Sequence, residues 1–347
     1  MALTEGPLIS IQSLILGVIG LIVILQVLVH FAKEINLVDV PDDFRKQHIG
    51  KIPLVGGIGV FSSLIYGAFV FGVQVFYLYL LASLVPIMIA GIIDGFEKYS
   101  VPPSYRIIAQ IVSSWLVILL SDVYLRDIGN LFGFGNIYLG ELGIPFTIFA
   151  VVGMCNAFNM LDGKDGLLGS TVVLIMASLL LLLSNNGINF HWGSIVLMST
   201  LIFLAFNLNL MGKKRKIFLG DHGSSSLGHI VAWSLIYLSQ ETNYMTPASA
   251  IWFVLLPLTD ALMTFARRAK SSNSIFSGDR LHFHHRLSDN GFSDKKILII
   301  FCLITIIGCS FGVAANIFMI DDFYLIYAYL TLLVIIVLSG FLKIEKK

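Results

Sequence analysis

Charge is what this 347-residue chain has least of: Asp, Glu, Lys and Arg make up 12% of it, against a hydrophobic share of 57%. A soluble domain carries about a quarter charged residues, so a water-soluble globular protein is excluded. Cysteine is nearly absent as well. Cys155, Cys302 and Cys309 all lie in apolar runs without CxxC spacing, which excludes a disulfide framework or thiolate metal site and leaves packing as their role. No internal repeat, low-complexity tract or stretch polar enough for a soluble domain interrupts the chain, so residues 1–347 read as one integral membrane domain. The first apolar run is too long, and too poorly preceded by positive charge, for a cleaved signal peptide. A net charge of +1 gives no reason to expect a nucleic-acid partner.

Long hydrophobic runs are what the chain has instead. About eleven, of roughly 16–24 residues, begin near positions 8, 53, 74, 106, 144, 167, 192, 218, 247, 297 and 323. The fold class expected is an all-α polytopic membrane protein with about eleven transmembrane helices. If the residues after the first span are cytoplasmic, alternation puts every one of the 22 Lys and Arg on that side except Arg126. The N-terminus is then outside and the C-terminus cytoplasmic. The cytoplasmic face is strongly basic, suited to anionic headgroups and anionic substrates. The one sizeable external loop alternates apolar residues with Gly and Asn and predicts a short hairpin near 131–140.

The polar residues gather in a few connections. The most informative is Asn156-Ala-Phe-Asn159-Met-Leu-Asp162-Gly-Lys164-Asp165-Gly-Leu-Leu-Gly169, between two apolar runs. Two carboxylates three residues apart suit a hard cation, and glycines let backbone approach a phosphate. The plainer alternative is a capped helix start with turn glycines. In the segment after the first span, Arg45, Lys46 and His48 precede Gly56-Gly57. They read either as a phosphate cradle or as a topogenic positive loop, with the glycines serving helix packing. Asp94 ends the third span, with Arg106 as its candidate ion-pair partner, and helix capping is an equal alternative.

The eighth span opens Gly220-Asp221-His222-Gly223-Ser224 after four basic residues. Free N–H groups at a helix start favour an anion, and Asp221 beside them asks for a cation in between. A simple N-cap is the competing account. In the ninth span, Asp260 is read as pairing structurally with Arg267-Arg268. The longest cytoplasmic loop carries Asp279-Arg280-Leu-His282-Phe-His284-His285. No cysteine accompanies these histidines, so phosphate recognition and proton handling fit them better than structural zinc.

Under one topology these groups share the cytoplasmic face. Carboxylates ask for Mg²⁺ or Mn²⁺, arginines and histidines ask for phosphate, and the membrane implies a lipid substrate. The reaction inferred is phosphoryl-group transfer from a soluble diphosphate to a lipid acceptor. A proton-coupled transporter is the alternative of another class, because intramembrane acids and histidines also mark proton paths.

The stretches RKxHxGxIPLVGG (45–57), NAFNMLDGKDGLLG (156–169), LGDHGS (219–224) and PLTD with DRLHFHH (257–285) together resemble the polyprenyl-phosphate N-acetylhexosamine-1-phosphate transferase family. The likeness runs from about residue 37 to 292. It implies a helical bundle with a cytoplasmic cleft in a bacterial inner membrane, moving a HexNAc-1-phosphate, foremost GlcNAc-1-phosphate, from a UDP-sugar to undecaprenyl phosphate with release of UMP. Another UDP-HexNAc, such as FucNAc, QuiNAc or GalNAc, is the alternative donor. The resemblance implies Asp94, Asp162 and Asp165 as catalytic, and Asp221 with Asp162 as ligands of Mg²⁺ or Mn²⁺. Arg45, Lys46, His48, Asn156, Asn159, Lys164, Asp279, Arg280, His282, His284 and His285 are implied as substrate-binding. The partners implied are UDP-N-acetylhexosamine, undecaprenyl phosphate and membrane lipids, compatible with a homodimer. The sequence departs from the family at one point: the second acid of its usual Asp-Asp pair is Gly95 here.

Overall fold

The computed structural model describes residues 11–41, 50–70, 75–96, 99, 101–270 and 282–338. Thirteen α-helices occur among them. In chain order they are α1 (Ile11–Glu34), α2 (Gly56–Val70), α3 (Val75–Asp94), α4 (Pro103–Ser121), α5 (Gly143–Leu161), α6 (Leu167–Ser184) and α7 (His191–Asn207). There follow α8 (Asp221–Gln240), α9 (Pro247–Phe253), α10 (Leu255–Lys270), α11 (Phe283–Asp289), α12 (Asp294–Ile317) and α13 (Asp322–Ile336). Six of the described helices are long and apolar enough to cross a membrane: α1, α3, α4, α5, α6 and α12. Counting α9 and α10 as one span bent by 87° makes seven. The chain is thus an all-α, multi-pass membrane protein. The shortfall from eleven has a physical reason. Helices α2, α7 and α13 are apolar but have 15–17 residues, or about 22–26 Å at 1.5 Å per residue, less than a bilayer core. Helix α8 is long but rich in serine.

That serine-rich helix is the axis of the bundle. Residues 222–238 of α8 are all buried, with α5 and α3 packed along it and α2, α6 and α9 touching it. Small residues make this possible. A methyl group on Gly57 would come within 2.4 Å of the Gly223 Cα, so α2 and α8 cross backbone to backbone at their first turns. Polar atoms inside the bundle are matched in places across helices: Ser83 Oγ lies 2.9 Å from His229 Nε2, and Trp192 Nε1 donates to Ser234 Oγ at 3.2 Å. The three cysteines are free, two of them buried.

At the Asp221 end of α8, main-chain bonds stitch three connections together. Strands β1 (Val38–Asp39) and β2 (Ile52–Pro53) pair antiparallel, Val38 opposite Pro53 and Asp39 opposite Ile52. Leu37 bridges to Phe96, and Leu54 to Phe218. The Gly56 and Gly57 N–H groups donate to the Phe218 and Leu219 carbonyls. At the other end of α8, about 30 Å away, the Gln240 side chain accepts from the Arg126 and Asp127 N–H groups. A hairpin closes there by the Asp127–Tyr138 bridge, with Gly133 and Gly135 in left-handed conformations at its tip. Arg126 pairs with Asp122 at 2.7 Å and Glu241 at 3.3 Å at this end, remote from the basic residues around Asp221.

Candidate active site

Four helix ends bring the acids together. Asp94 is the last residue of α3, and its Oδ1 accepts the Val101 N–H at 2.8 Å. Arg106, one turn into α4, lies 3.3 Å from Asp94 Oδ2 through Nη1, as the sequence spacing predicts. The same Nη1 also pairs with Asp221 Oδ2 at the first residue of α8. Asp162 caps the end of α5, its N–H bonded to the Asn159 carbonyl at 3.3 Å. Asp165 pairs with Lys216 from the α7–α8 connection.

The loop from 162 to 166 is held on every side. Gly166 takes φ +78° ahead of α6, and its N–H donates to Asn207 Oδ1 at 2.7 Å. Asn207 in turn donates to the Ile217 carbonyl at 3.1 Å, so one amide ties the acidic loop to the segment leading into Asp221. Asn159 accepts from Ser224 Oγ at 2.7 Å, and Asn156 donates to Gln110 Oε1 at 2.8 Å. These two asparagines therefore brace α5 against α8 and α4. Lys164 pairs with Asp294 at the start of α12.

The histidines close the site from another direction. His282 Nδ1 lies 3.1 Å from Asp260 Oδ2, and Asp260 Oδ1 accepts the Phe283 N–H at 2.8 Å. This corrects the expected pairing of Asp260 with Arg267 and Arg268: a carboxylate inside α10 fixes the histidine segment instead. His284 is buried at 1% exposure, its ring stacked on His282 at 6.0 Å and tilted against His285 at 4.1 Å. It also sits directly on Gly163, where a Cβ would meet its Nε2 at 2.2 Å. The histidine segment and the acidic loop are thus interlocked. Arg45, Lys46, His48, Asp279 and Arg280 lie outside the described residues.

Charge around these acids is unevenly matched. Arg106 faces Asp94 and Asp221, and Lys216 faces Asp165. Asp162 is different. Desolvation, then the charges of Asp221, Asp165 and Asp39, push its carboxyl well above the ordinary carboxylate range. Asp39 reaches this group through the β1–β2 pairing, which no spacing in the sequence announces. Asn207 is likewise left out of the motifs, its only signal being polarity next to an apolar run, whereas Lys216 is the last of the four basic residues before α8. Among the described residues no three Asp, Glu, His or Cys side chains form a metal cage. Magnesium does not require one, since it binds one or two carboxylates and completes its shell with water and substrate phosphate. Asp162 and Asp221 fit such an open site, where surplus negative charge favours a cation.

Gly95 follows Asp94 in the turn. A Cβ there would meet Leu37 Cδ1 at 3.0 Å and Leu54 Cδ1 at 3.3 Å. The side of the chain on which the resemblance implies a second acid is packed by leucines.

Comparison with known proteins places the chain in a family. Residues 77–239, which contain Asp94, Asp162, Asp165 and Asp221, match the glycosyl transferase family 4 signature. The chain is similar to undecaprenyl-phosphate alpha-N-acetylglucosaminyl 1-phosphate transferases. The protein of that name from Escherichia coli K12 is 34% identical over 293 residues, 82% of this chain and 78% of the relative. That from Salmonella typhi is 33% identical over the same shares. The Haemophilus influenzae protein is 31% identical over 333 residues, 94% of this chain and 93% of the relative, a span that takes in the histidine segment. With its acids gathered at one end of an apolar bundle and likeness of this extent, the chain belongs to glycosyl transferase family 4.

Proposed function

We propose that this protein transfers N-acetylglucosamine 1-phosphate from UDP-GlcNAc to undecaprenyl phosphate, releasing UMP and starting a lipid-linked glycan. An oxygen of the acceptor phosphate bonds to the sugar-bearing phosphorus, and the bond from that phosphorus to the UMP phosphate breaks. The observation that carries this reading is the convergence of Asp94, Asp162 with Asp165, and Asp221 from three separate connections. They meet beside Arg106, Lys216 and a buried histidine pair in a chain similar to transferases of that name. A carrier would place its ionisable groups near the bilayer midplane on paired halves, whereas these acids lie at helix ends.

Mg²⁺ or Mn²⁺, held by Asp162 and Asp221, would supply charge neutralisation for the diphosphate during bond cleavage. Asp94, held by the Val101 N–H, would orient the acceptor phosphate or take a proton from it. Asp165 and the asparagines set the position of the acidic loop, and His282 with His284 forms the wall against which the donor phosphates lie. Arg45, Lys46, His48, Lys164, Asp279, Arg280 and His285 complete the substrate-binding set. In this reading all eleven long elements, with α9 and α10 as one, traverse a bacterial inner membrane as one catalytic domain. The N-terminus is outside, and the C-terminus and the acids are cytoplasmic. Thinning of the bilayer accommodates the 15–17-residue helices.

Purified protein incubated with labelled UDP-GlcNAc and undecaprenyl phosphate should yield UMP and a lipid-linked sugar phosphate. Release of UDP instead of UMP, or no lipid product from any UDP-HexNAc, would overturn the reading; a lipid product from UDP-GalNAc alone would move it to that donor.

A further inference from the structure

Arg106 offers one nitrogen to two acids. Its Nη1 is 3.3 Å from Asp94 Oδ2 and pairs as well with Asp221 Oδ2. The guanidinium is not locked in the core: its side chain is 31% exposed and that of Asp221 35%. Asp94 is held independently by the Val101 N–H, so Arg106 is not needed to place it. Asp221 stands at the first turn of α8, where the helix end also favours negative charge.

An arginine in this position has two opposed tendencies. It competes for Asp221 with any cation that uses that carboxylate, and its planar fork binds phosphate oxygens in pairs. We propose that Arg106 is a displaceable counter-ion: it neutralises Asp94 and Asp221, and turns from Asp221 to the donor's diphosphate when a divalent cation takes that carboxylate. The proposal rests on the metal-assisted transfer described above and adds a coupling to it. Without a diphosphate, the guanidinium opposes the metal; with one, it has a new partner and ceases to. Metal and nucleoside diphosphate each then promote the binding of the other, by the same factor.

The test uses the full-length protein in detergent and Mn²⁺ alone, with bound ion measured by the loss of the free Mn²⁺ electron-paramagnetic signal. Titrations are repeated with UDP, which brings a diphosphate but no transferable sugar, after correction for the Mn²⁺–UDP complex in solution. Arg106→Gln should bind Mn²⁺ alone about tenfold more tightly than wild type, the scale of one lost charge-assisted pair. UDP should strengthen Mn²⁺ binding by at least about fivefold in wild type and by a clearly smaller factor in Arg106→Gln, where only the direct attraction between ion and diphosphate remains. Asp221→Asn, which removes a metal oxygen, should weaken Mn²⁺ binding and so identify the site measured. A purely structural arginine would lower the melting temperature without raising metal affinity.

Equal or weaker Mn²⁺ binding by a folded Arg106→Gln would overturn the proposal, as would an undiminished effect of UDP. Should the glutamine variant not fold, Arg106→Lys takes its place. Its single ammonium cannot fork onto phosphate, so the UDP effect should fall by more than half, and an unchanged effect would refute the exchange. No Mn²⁺ binding by any variant would remove the metal reading itself, a failure recognisable because transfer activity would then persist in chelator.

Discussion

Replacing Gly163 with alanine isolates the contact between the acidic loop and the histidine segment. Gly163 has no left-handed backbone conformation, so alanine adds a methyl group without backbone strain. That methyl would lie 2.2 Å from His284 Nε2 and 2.6 Å from Cε1, more than 1 Å inside an ordinary contact. His284 is 1% exposed and flanked by the His282 and His285 rings, so it has little room to retreat. Overpacking of this kind costs about 1–3 kcal/mol. A shift of about 1 Å in a binding group can cost on the order of 100-fold in rate. Gly163→Ala should therefore lower kcat/KM for UDP-GlcNAc by about two orders of magnitude and depress the melting temperature in detergent. The decisive comparison is with His284→Ala, which vacates the space. In that background the stability cost of Gly163→Ala should vanish, a coupling well above the roughly 0.5 kcal/mol scatter of independent sites. Additive losses, or a Gly163→Ala enzyme with wild-type turnover, would refute the interlock.

Other expectations follow from the same geometry. Asp162 has a folded pKa raised above its ordinary 3.8, so the native state binds its proton more tightly than the unfolded chain and stability falls as pH rises through that interval. Asp162→Asn in chelator should melt higher than wild type at pH 7–8, converge with it near pH 4, and show no transfer activity; a lower melting temperature at pH 8 would contradict the surplus of charge. At Asp260, asparagine keeps the acceptor for the Phe283 N–H but loses the carboxylate oxygen facing His282 Nδ1, whereas alanine loses both. Thermal stability should rank wild type, Asn, Ala, with about 1–3 kcal/mol between the ends, and an alanine variant as stable as wild type would dismiss this bond. Gly95→Asp, pressed against Leu37 and Leu54, should lose about 1 kcal/mol and gain no activity in a transfer assay; increased turnover would show that a second acid is still useful here.

Much of this site is legible in the sequence, because its acids sit where apolar runs end and such positions are few. The Asp94–Arg106 pair, the placement of Arg126 apart from other basic residues, and the hairpin before α5 all follow from spacing. Contacts made across long separations do not. Asp39 joins the acids through strand pairing of only two residues, Asn207 bridges two loops from the end of an apolar helix, and Asp260 selects a histidine 22 positions away over nearer arginines. The right-angled break after Phe253 is also hidden, since the apolar residues on either side, Ile251-Trp252-Phe253 and Leu255-Leu256, read as one continuous run. Hydropathy counts spans well only when each helix must face lipid, and α8 does not.

That last point bears on how the protein is made. A segment carrying His222, Ser224, Ser225, Ser226, His229 and Ser234 partitions poorly into lipid by itself. Its insertion must wait for neighbours able to shelter it, and α3 and α5, its closest companions in the bundle, leave the ribosome first. Biosynthesis would then deliver the residue that completes the acid cluster last, keeping the site unassembled until most of the surrounding scaffold is already in the bilayer.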